Sequence, residues 1–315
     1  MHEDSNQRVA LVAGATRGAG RGIALALAEA GLHVYCTGRS TRAAPRRRSE
    51  GSSPFALDER PEAIEDVADA IVARGGAATA VVVDHGDAAA VAELVDRIAR
   101  ERGRVDVLVH SLWAGDELAQ WGTPLAELDV DRGWELLRRA LYTHLLTCRH
   151  VAPLLREGGL IVEMTDGVGA YYRGGLFYDL AKMSVIRAAF CFAEELRPRG
   201  IAAVALTPGY LRSEAMLEHF GVTEERWRDG VATDPNFLFS ESPALVGRAV
   251  AALATDPEVM RRSGRVLSSW GLARAYGLRD VDGSRPDWGA HAATQAFGAE
   301  QRESHHRFLE CFEHD

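Results

Sequence analysis

Seven short apolar runs of β type recur along the chain, at residues 8–13, 33–36, 80–83, 105–109, 159–165, 202–206 and 265–269. Stretches with helical spacing separate them. Ile23 to Ala28 is a strong helix former closed by Gly31, and 61–74 carries Ile64, Val67, Ala68 and Ile71 on one face. Further helices are expected at 88–102, 131–155 with Asp131 as the cap, 176–196 and 243–255. Continuous apolar strands alternating with helices require a parallel sheet covered on both faces. The expected fold is α/β, one doubly wound domain of about 250 residues with extensions. No repeat of fixed period interrupts the pattern.

Three segments depart from it. Residues 40–60, with arginines at 46–48 and Gly51-Ser52-Ser53-Pro54, read as a flexible surface loop. Residues 212–241 are helical and aromatic, which suits a lid over the carboxyl edge of the sheet. Residues from 280 onward are polar, with Trp288 and Phe297. The expected division is a domain over 1–280, including a lid at about 210–241, and a C-terminal extension over 281–315.

Composition narrows the function. A formal net charge of −9 argues against a nucleic-acid partner or an anionic membrane surface. No apolar run approaches the roughly 18–20 residues of a membrane span. The polar start of the chain lacks the apolar core of a secretory signal. Cys36, Cys148, Cys191 and Cys311 are far apart with no C-x-x-C pair, so neither a disulfide framework nor a metal site is expected, and the cytoplasm is the default compartment.

The first strand runs into Gly14-Ala15-Thr16-Arg17-Gly18-Ala19-Gly20 and then a helix. Glycines there let the backbone approach a pyrophosphate, which the helix N-terminus then faces. A bare tight turn is the plainer alternative. The second strand ends in Thr37-Gly38-Arg39-Ser40, with no acid to grip a ribose 2′-hydroxyl. Arg17 and Arg39 are instead placed to meet a 2′-phosphate, which points to NADP(H). Against that, arginine is abundant throughout.

The 36 basic residues are 35 arginines and Lys182. Tyr178 and Lys182 are four apart on the helix expected at 176–196, hence on one face. A phenol with an ordinary pKa near 10 is a poor acid–base group at neutral pH. A neighbouring ammonium favours its phenolate. The phenol then serves to pass a proton to or from a carbonyl or alcohol oxygen. An exposed i,i+4 pair is the alternative.

In these parts and their order the chain resembles the short-chain dehydrogenase/reductase family, over approximately residues 8–270. The resemblance implies a single-domain Rossmann fold and NADP(H) held by the glycine turn (Gly14, Thr16, Arg17, Gly18, Ala19, Gly20), Arg39 and Ser40. It also implies adenine contacts from Asp84 with His85, and further contacts from Ser111, Tyr178, Lys182, Pro208 and Gly209. In the segment Thr207-Pro208-Gly209-Tyr210-Leu211-Arg212-Ser213, which resembles P-G-x-x-x-T, Ser213 takes the nicotinamide-binding position. His110-Ser111-Leu112-Trp113-Ala114-Gly115 replaces the usual N-N-A-G and looks closer to the N-N-A-Y-A-G of the branch called dehydrogenase/reductase family member 1. Its V-H-S part resembles enoyl-acyl-carrier-protein reductases, but those use a wider tyrosine–lysine spacing, and the residue seven before Lys182 is Gly175.

Two family features are missing. The catalytic serine after the fifth strand is replaced either by Asp166, aligned by strand, or by Thr165, counted back from Tyr178. Thr165 is expected to supply the hydroxyl, with Asp166 lining the pocket, since an ionised Asp166 would repel a developing oxyanion; alternatively Asp166 caps the following turn. The helix asparagine falls at Leu141, with Tyr142 or His144 as substitutes if they are more than a buried helix face. Trp113, Tyr171, Tyr172, Phe177, Tyr210 and Phe220 are placed to border a fairly apolar or aromatic small-molecule substrate. The resemblance implies a homodimer or homotetramer. The leading expectation is an NADP(H)-dependent oxidoreductase that transfers hydride to or from a carbonyl or alcohol carbon. A dinucleotide-binding sensor or scaffold that has lost turnover is the second reading, and imine reduction or dehydration on the same scaffold is the third.

Overall fold

The computed structural model describes residues 7–44, 61–113 and 115–312. The arginines at 46–48 and the Gly-Ser-Ser-Pro segment lie outside the described residues. The strands are β1 (Val9–Ala13), β2 (His33–Gly38), β3 (Ala77–Val82), β4 (Val105–His110), β5 (Leu155–Met164), β6 (Ala202–Thr207) and β7 (Val266–Ser268). All pair in parallel, in the order β3-β2-β1-β4-β5-β6-β7. This is the seven-stranded doubly wound sheet expected from the sequence. The order reverses direction between β1 and β4, which opens a crevice at the carboxyl edge.

The helices are α1 (Gly18–Glu29), α2 (Ile64–Val72), α3 (Ala88–Glu101), α4 (Val130–Leu137), α5 (Thr143–Val151), α6 (Leu176–Leu196), α7 (Glu214–His219), α8 (Pro243–Thr255), α9 (Ser269–Tyr276), α10 (Trp288–Ala293) and α11 (Ala296–Glu310). Alternation along β1 divides the core. Ala10 and Val12 join Ile23, Leu27, Val246 and Val250 from α1 and α8. Val9 and Leu11 join Leu94, Ile98, Leu146 and Val151 from α3 and α5 on the other face. Successive side chains of a strand point to opposite faces, so both must be apolar when helices cover both. The α1 and α8 backbones touch directly: a Cβ on Gly22 would stand 2.0 Å from the Pro243 carbonyl oxygen, and one on Gly247 would stand 2.3 Å from that of Gly22.

Two elements differ from expectation. The third strand is not a buried run at 80–83; it spans Ala77–Val82 at the sheet edge, with Val82 57% exposed. An apolar run does not by itself reveal whether its strand is central or at an edge. The helix expected from 131 is capped by Asp129, which accepts from the Arg132 amide at 2.9 Å. A π-helical turn at Arg138–Tyr142 then separates α4 from α5, and the chain enters β5 at Leu155.

The chain beyond α9 folds back over the site. Trp288 meets Tyr210 edge to face at 5.5 Å. The Ala170 amide donates to His305 Nδ1 at 3.0 Å, and the Tyr172 amide donates to Ser304 Oγ at 2.9 Å. Among the described residues no helix is long and apolar enough to cross a membrane.

Candidate active site

A cleft of about 1160 Å³ opens at the carboxyl edge. Of the residues expected to hold the cofactor, together with Tyr178, Lys182, Thr165 and Asp166, all but Gly18, Gly20 and Asp166 line it. Two glycines of the turn have no room for a side chain. Gly14 has φ +85°, and a Cβ there would stand 2.4 Å from the Ser111 carbonyl oxygen; one on Gly20 would stand 2.0 Å from that of Gly14. Only glycine tolerates both the positive φ and the close approach. The first turn of α1 carries no side-chain cap and no acid of its own; Arg17 and Ala19 there line the cleft, and the Gly18 amide between them donates to Glu214 Oε2 at 2.7 Å, so this helix start suits an anion.

At one end of the cleft stand the two arginines. Arg17 donates to Ser40 Oγ at 3.2 Å and lies 3.5 Å from Glu62, and Arg39 lies 3.4 Å from Asp84. Partial burial opposes ionisation of Asp84, but the Gly86 amide and Arg39 outweigh it and hold the carboxyl below its ordinary range. His85 lines the cleft, yet Thr37 and Thr147 engage its two ring nitrogens at 2.7 and 2.8 Å. Burial pushes its pKa down to about 3, so the ring is neutral and has no nitrogen left for a ligand.

At the other end, α6 presents Tyr178 and Lys182. The Lys182 ammonium sits 3.6 Å from the centre of the Trp113 ring. Burial lowers its pKa against the pull of Asp166 and Asp116. Trp113 and Trp121 flank the Tyr178 ring at 5.5 and 4.7 Å. The phenol donates to Asp166 Oδ2 at 2.9 Å. Burial first, and then Asp166, holds this phenol well above its ordinary value. Burial and Asp166 thus act against the phenolate that the neighbouring Lys182 was expected to favour.

The preference for Thr165 as the hydroxyl does not fit the geometry. Thr165 Oγ1 donates to the Lys182 carbonyl oxygen at 3.1 Å and tethers α6 to β5. The side chain that meets the phenol is Asp166. Arg173, 9% exposed, fixes the Asp166 loop by donating to the carbonyls of Asp166, Gly169 and Tyr171 and to the Asp179 carboxylate.

Beneath the cleft lies a cluster the sequence did not reveal. Glu163, on β5, is completely buried and receives His110 Nδ1 and His144 Nδ1 on its two oxygens, each at 2.5 Å. The rings stack with centroids 4.8 Å apart. Burial opposes ionisation of Glu163, but the two imidazoles prevail and bring it down to about 2. Three potential metal-ligand atoms gather within 4.8 Å here. Both carboxylate oxygens have short imidazole contacts. Of the substitutes considered for the helix asparagine, His144 is in this network and lines the cleft, whereas Tyr142 is 43% exposed.

A family model described as enoyl-(acyl carrier protein) reductase matches residues 42–260. The human dehydrogenase/reductase SDR family member 1 is 35% identical over 90% of this chain and 86% of its own length. The chain belongs to the short-chain dehydrogenase/reductase family. Two solved members share its fold. A short-chain dehydrogenase/reductase from Serratia marcescens has a TM-score of 0.65 at 22% identity, covering 84% of this chain and 97% of that one. An actinorhodin polyketide ketoreductase solved with NADPH has a TM-score of 0.64 at 23% identity, covering 84% and 96%.

In this short-chain dehydrogenase/reductase the aromatic wall differs from the one expected. Trp113 and Tyr210 line the cleft. Phe177 packs on Gly133 of α4, Phe220 packs on Phe237 at 4.4 Å, Tyr171 lies beside Arg173, and Tyr172 is 58% exposed. Trp121, not singled out from the sequence, is a wall of the tyrosine's pocket; its position in an irregular stretch carries no periodic signal. Ser213 Oγ accepts the Met216 amide at 3.3 Å as the cap of α7, still at the cleft.

Proposed function

We propose that the chain is an NADP(H)-dependent oxidoreductase that moves hydride between the nicotinamide and a carbonyl or alcohol carbon of a small, fairly apolar or aromatic molecule. The observation that carries this is the single cleft. It joins the glycine turn and helix start that suit an anion, two arginines at the adenosine end, and a proton-bearing phenol beside an ammonium at the far end. The residues fit the dinucleotide. Gly14, Gly18 and Gly20 leave space for a diphosphate, Arg17, Arg39 and Ser40 suit a 2′-phosphate, and Lys182 suits ribose hydroxyls. The cofactor, when bound, supplies or accepts the hydride. Tyr178 delivers its proton to the substrate oxygen, or removes one in the reverse direction. Residues 1–280 form the binding domain, with 281–315 as an extension. The protein is cytoplasmic and a homodimer or homotetramer. Exposed Val130 and Trp134, one turn apart on α4, support assembly.

The arginines set the cofactor preference. Arg39→Ala should weaken NADPH about 10- to 100-fold, the loss of a charge-assisted contact to a phosphate. NADH should change by less than about twofold, since it offers Arg39 no phosphate. Calorimetric titration of both cofactors reads this, and equal losses reject the preference.

The Asp166–Tyr178 hydrogen bond favours a second reading. A hydroxyl donates to a substrate carbonyl, whereas an ionised carboxylate only accepts, as it would from the N–H of an iminium. Imine reduction then becomes the reaction: hydride reaches the iminium carbon, the C=N π electrons become the nitrogen lone pair, and Asp166 holds the N–H. Paired cyclic imine and ketone substrates decide between the two. If the nitrogen reading holds, wild type prefers the imine, and Asp166→Ser shifts the preference toward the ketone by about tenfold or more, the scale of one hydrogen bond to a charged group. Ketone turnover in wild type with an unchanged ratio in Asp166→Ser leaves the carbonyl reading in place.

A further inference from the structure

We propose that Glu214 is a carboxylate stand-in for the cofactor diphosphate, so that filling the cofactor site displaces the first helix of the lid. The inference rests on the dinucleotide reading above and adds a regulatory step to it.

The Gly18 amide opens α1 between the cleft-lining Arg17 and Ala19, at the helix start that would face a bound diphosphate. It donates to Glu214 Oε2 at 2.7 Å, across 196 residues of sequence. Arg21, on the same helix, lies 3.7 Å from the other oxygen of that carboxylate. The first turn of α1 has no acid, and Arg17 provides no side-chain cap. Glu214 therefore takes from the turn what an anionic ligand would take: an amide, the positive end of a twelve-residue helix, and a guanidinium. Glu214 also lines the same cleft.

Two anions do not share one such site, because like charges at contact distance repel. A diphosphate that seats on Gly18 must move Glu214. What moves with it is limited by its surroundings. Glu214 is the first residue of α7, capped by Ser213, and α7 contains no buried residue. On one side Arg212 is fully buried and donates to the Ser240 carbonyl at 2.6 Å. On the other, Phe220 is packed on Phe237. Residues 213–217 thus lie between two anchors, and the swing centres on them. Ser213, against which a Cβ on Gly18 would sit at 3.7 Å, is at the hinge.

The test compares Glu214→Gln with Glu93→Gln, which removes the same charge at an exposed position on α3, outside the lid. NADPH affinity is measured by calorimetry at fixed ionic strength, together with amide exchange over 213–219. The glutamine variant should bind NADPH about tenfold tighter, the scale of one charge-assisted contact, while the control changes by less than about twofold. In wild type, NADPH should raise exchange over 213–219. In Glu214→Gln that exchange should already be high without NADPH. Equal or weaker binding by the glutamine variant, or no exchange response in wild type, overturns the proposal and leaves dinucleotide binding standing. Failure of NADPH to bind either protein removes the dinucleotide reading, and the stand-in role with it.

Discussion

Tyr178→Phe is expected to lower turnover by about a thousandfold, within the 10²–10⁴ range of a positioned acid–base group, while NADPH binds within about twofold of wild type. The phenyl ring keeps its place between Trp113 and Trp121. Only the hydroxyl is lost, and with it the proton held against Asp166 at 2.9 Å. Because burial and Asp166 hold the phenol above its ordinary value, the proton-bearing form persists across neutral pH. The reductive direction should therefore show no fall between pH 6 and 9 that is assignable to Tyr178 (about the neutral range set by an unshifted value near 10). Single-turnover NADPH oxidation reads the rate, and calorimetry reads the binding. Tight binding with no turnover on carbonyls or imines, and no difference between wild type and variant, would favour the sensor reading.

What the sequence disclosed was chemistry that depends on residue type at short spacing. The glycine turn and the Tyr178/Lys182 pair each lie within one turn or helix, so a backbone rule and a helical period are enough to find them. Asp166 was obscured because two ways of counting differed by one residue. One residue at a strand end reverses the direction of the side chain. The His110–Glu163–His144 cluster draws on β4, α5 and β5, and Glu163 looked like one polar interruption of an apolar strand. Nor does periodicity mark a π turn. Arg173 and Arg212 were lost in an arginine-rich background, although one clamps the Asp166 loop and the other is fully buried. Glu62 and Glu214, acids set against the arginines and amides of the cradle, are distant in sequence from the groups they meet.

Arg212→Leu should cost about 3–5 kcal/mol of stability, the penalty for stranding the partner of a buried ion pair. The Arg212 guanidinium has no exposure. It donates to Glu224 at 2.8 Å, Asp280 at 3.2 Å and the Ser240 carbonyl at 2.6 Å, and lies 4.2 Å from the Trp227 ring centre. Asp280, 2% exposed, also accepts the Ser242 amide at 2.8 Å, so one cation joins the lid, the start of α8 and the segment after α9. Leucine fills much of the volume but leaves Asp280 buried beside Glu241. Burial already pushes Glu241 up to about 7, and Arg212 is among the groups that oppose this. The sign of the pH dependence follows. With its folded pKa above its unfolded value, Glu241 binds more protons in the folded state, so its contribution falls as pH rises from about 4.5 to 7. Without Arg212 its pKa rises further, and the decline extends past pH 7. Denaturant unfolding at pH 5.5 and at pH 8, on either side of that value of about 7, should show the larger deficit at pH 8. Arg212→Leu with Asp280→Leu should recover part of the loss, because the stranded carboxylate is removed with its partner. A loss below about 1 kcal/mol at pH 8, the scale of an exposed pair, would mean that the contacts of Arg212 are replaceable and that the lid is anchored elsewhere.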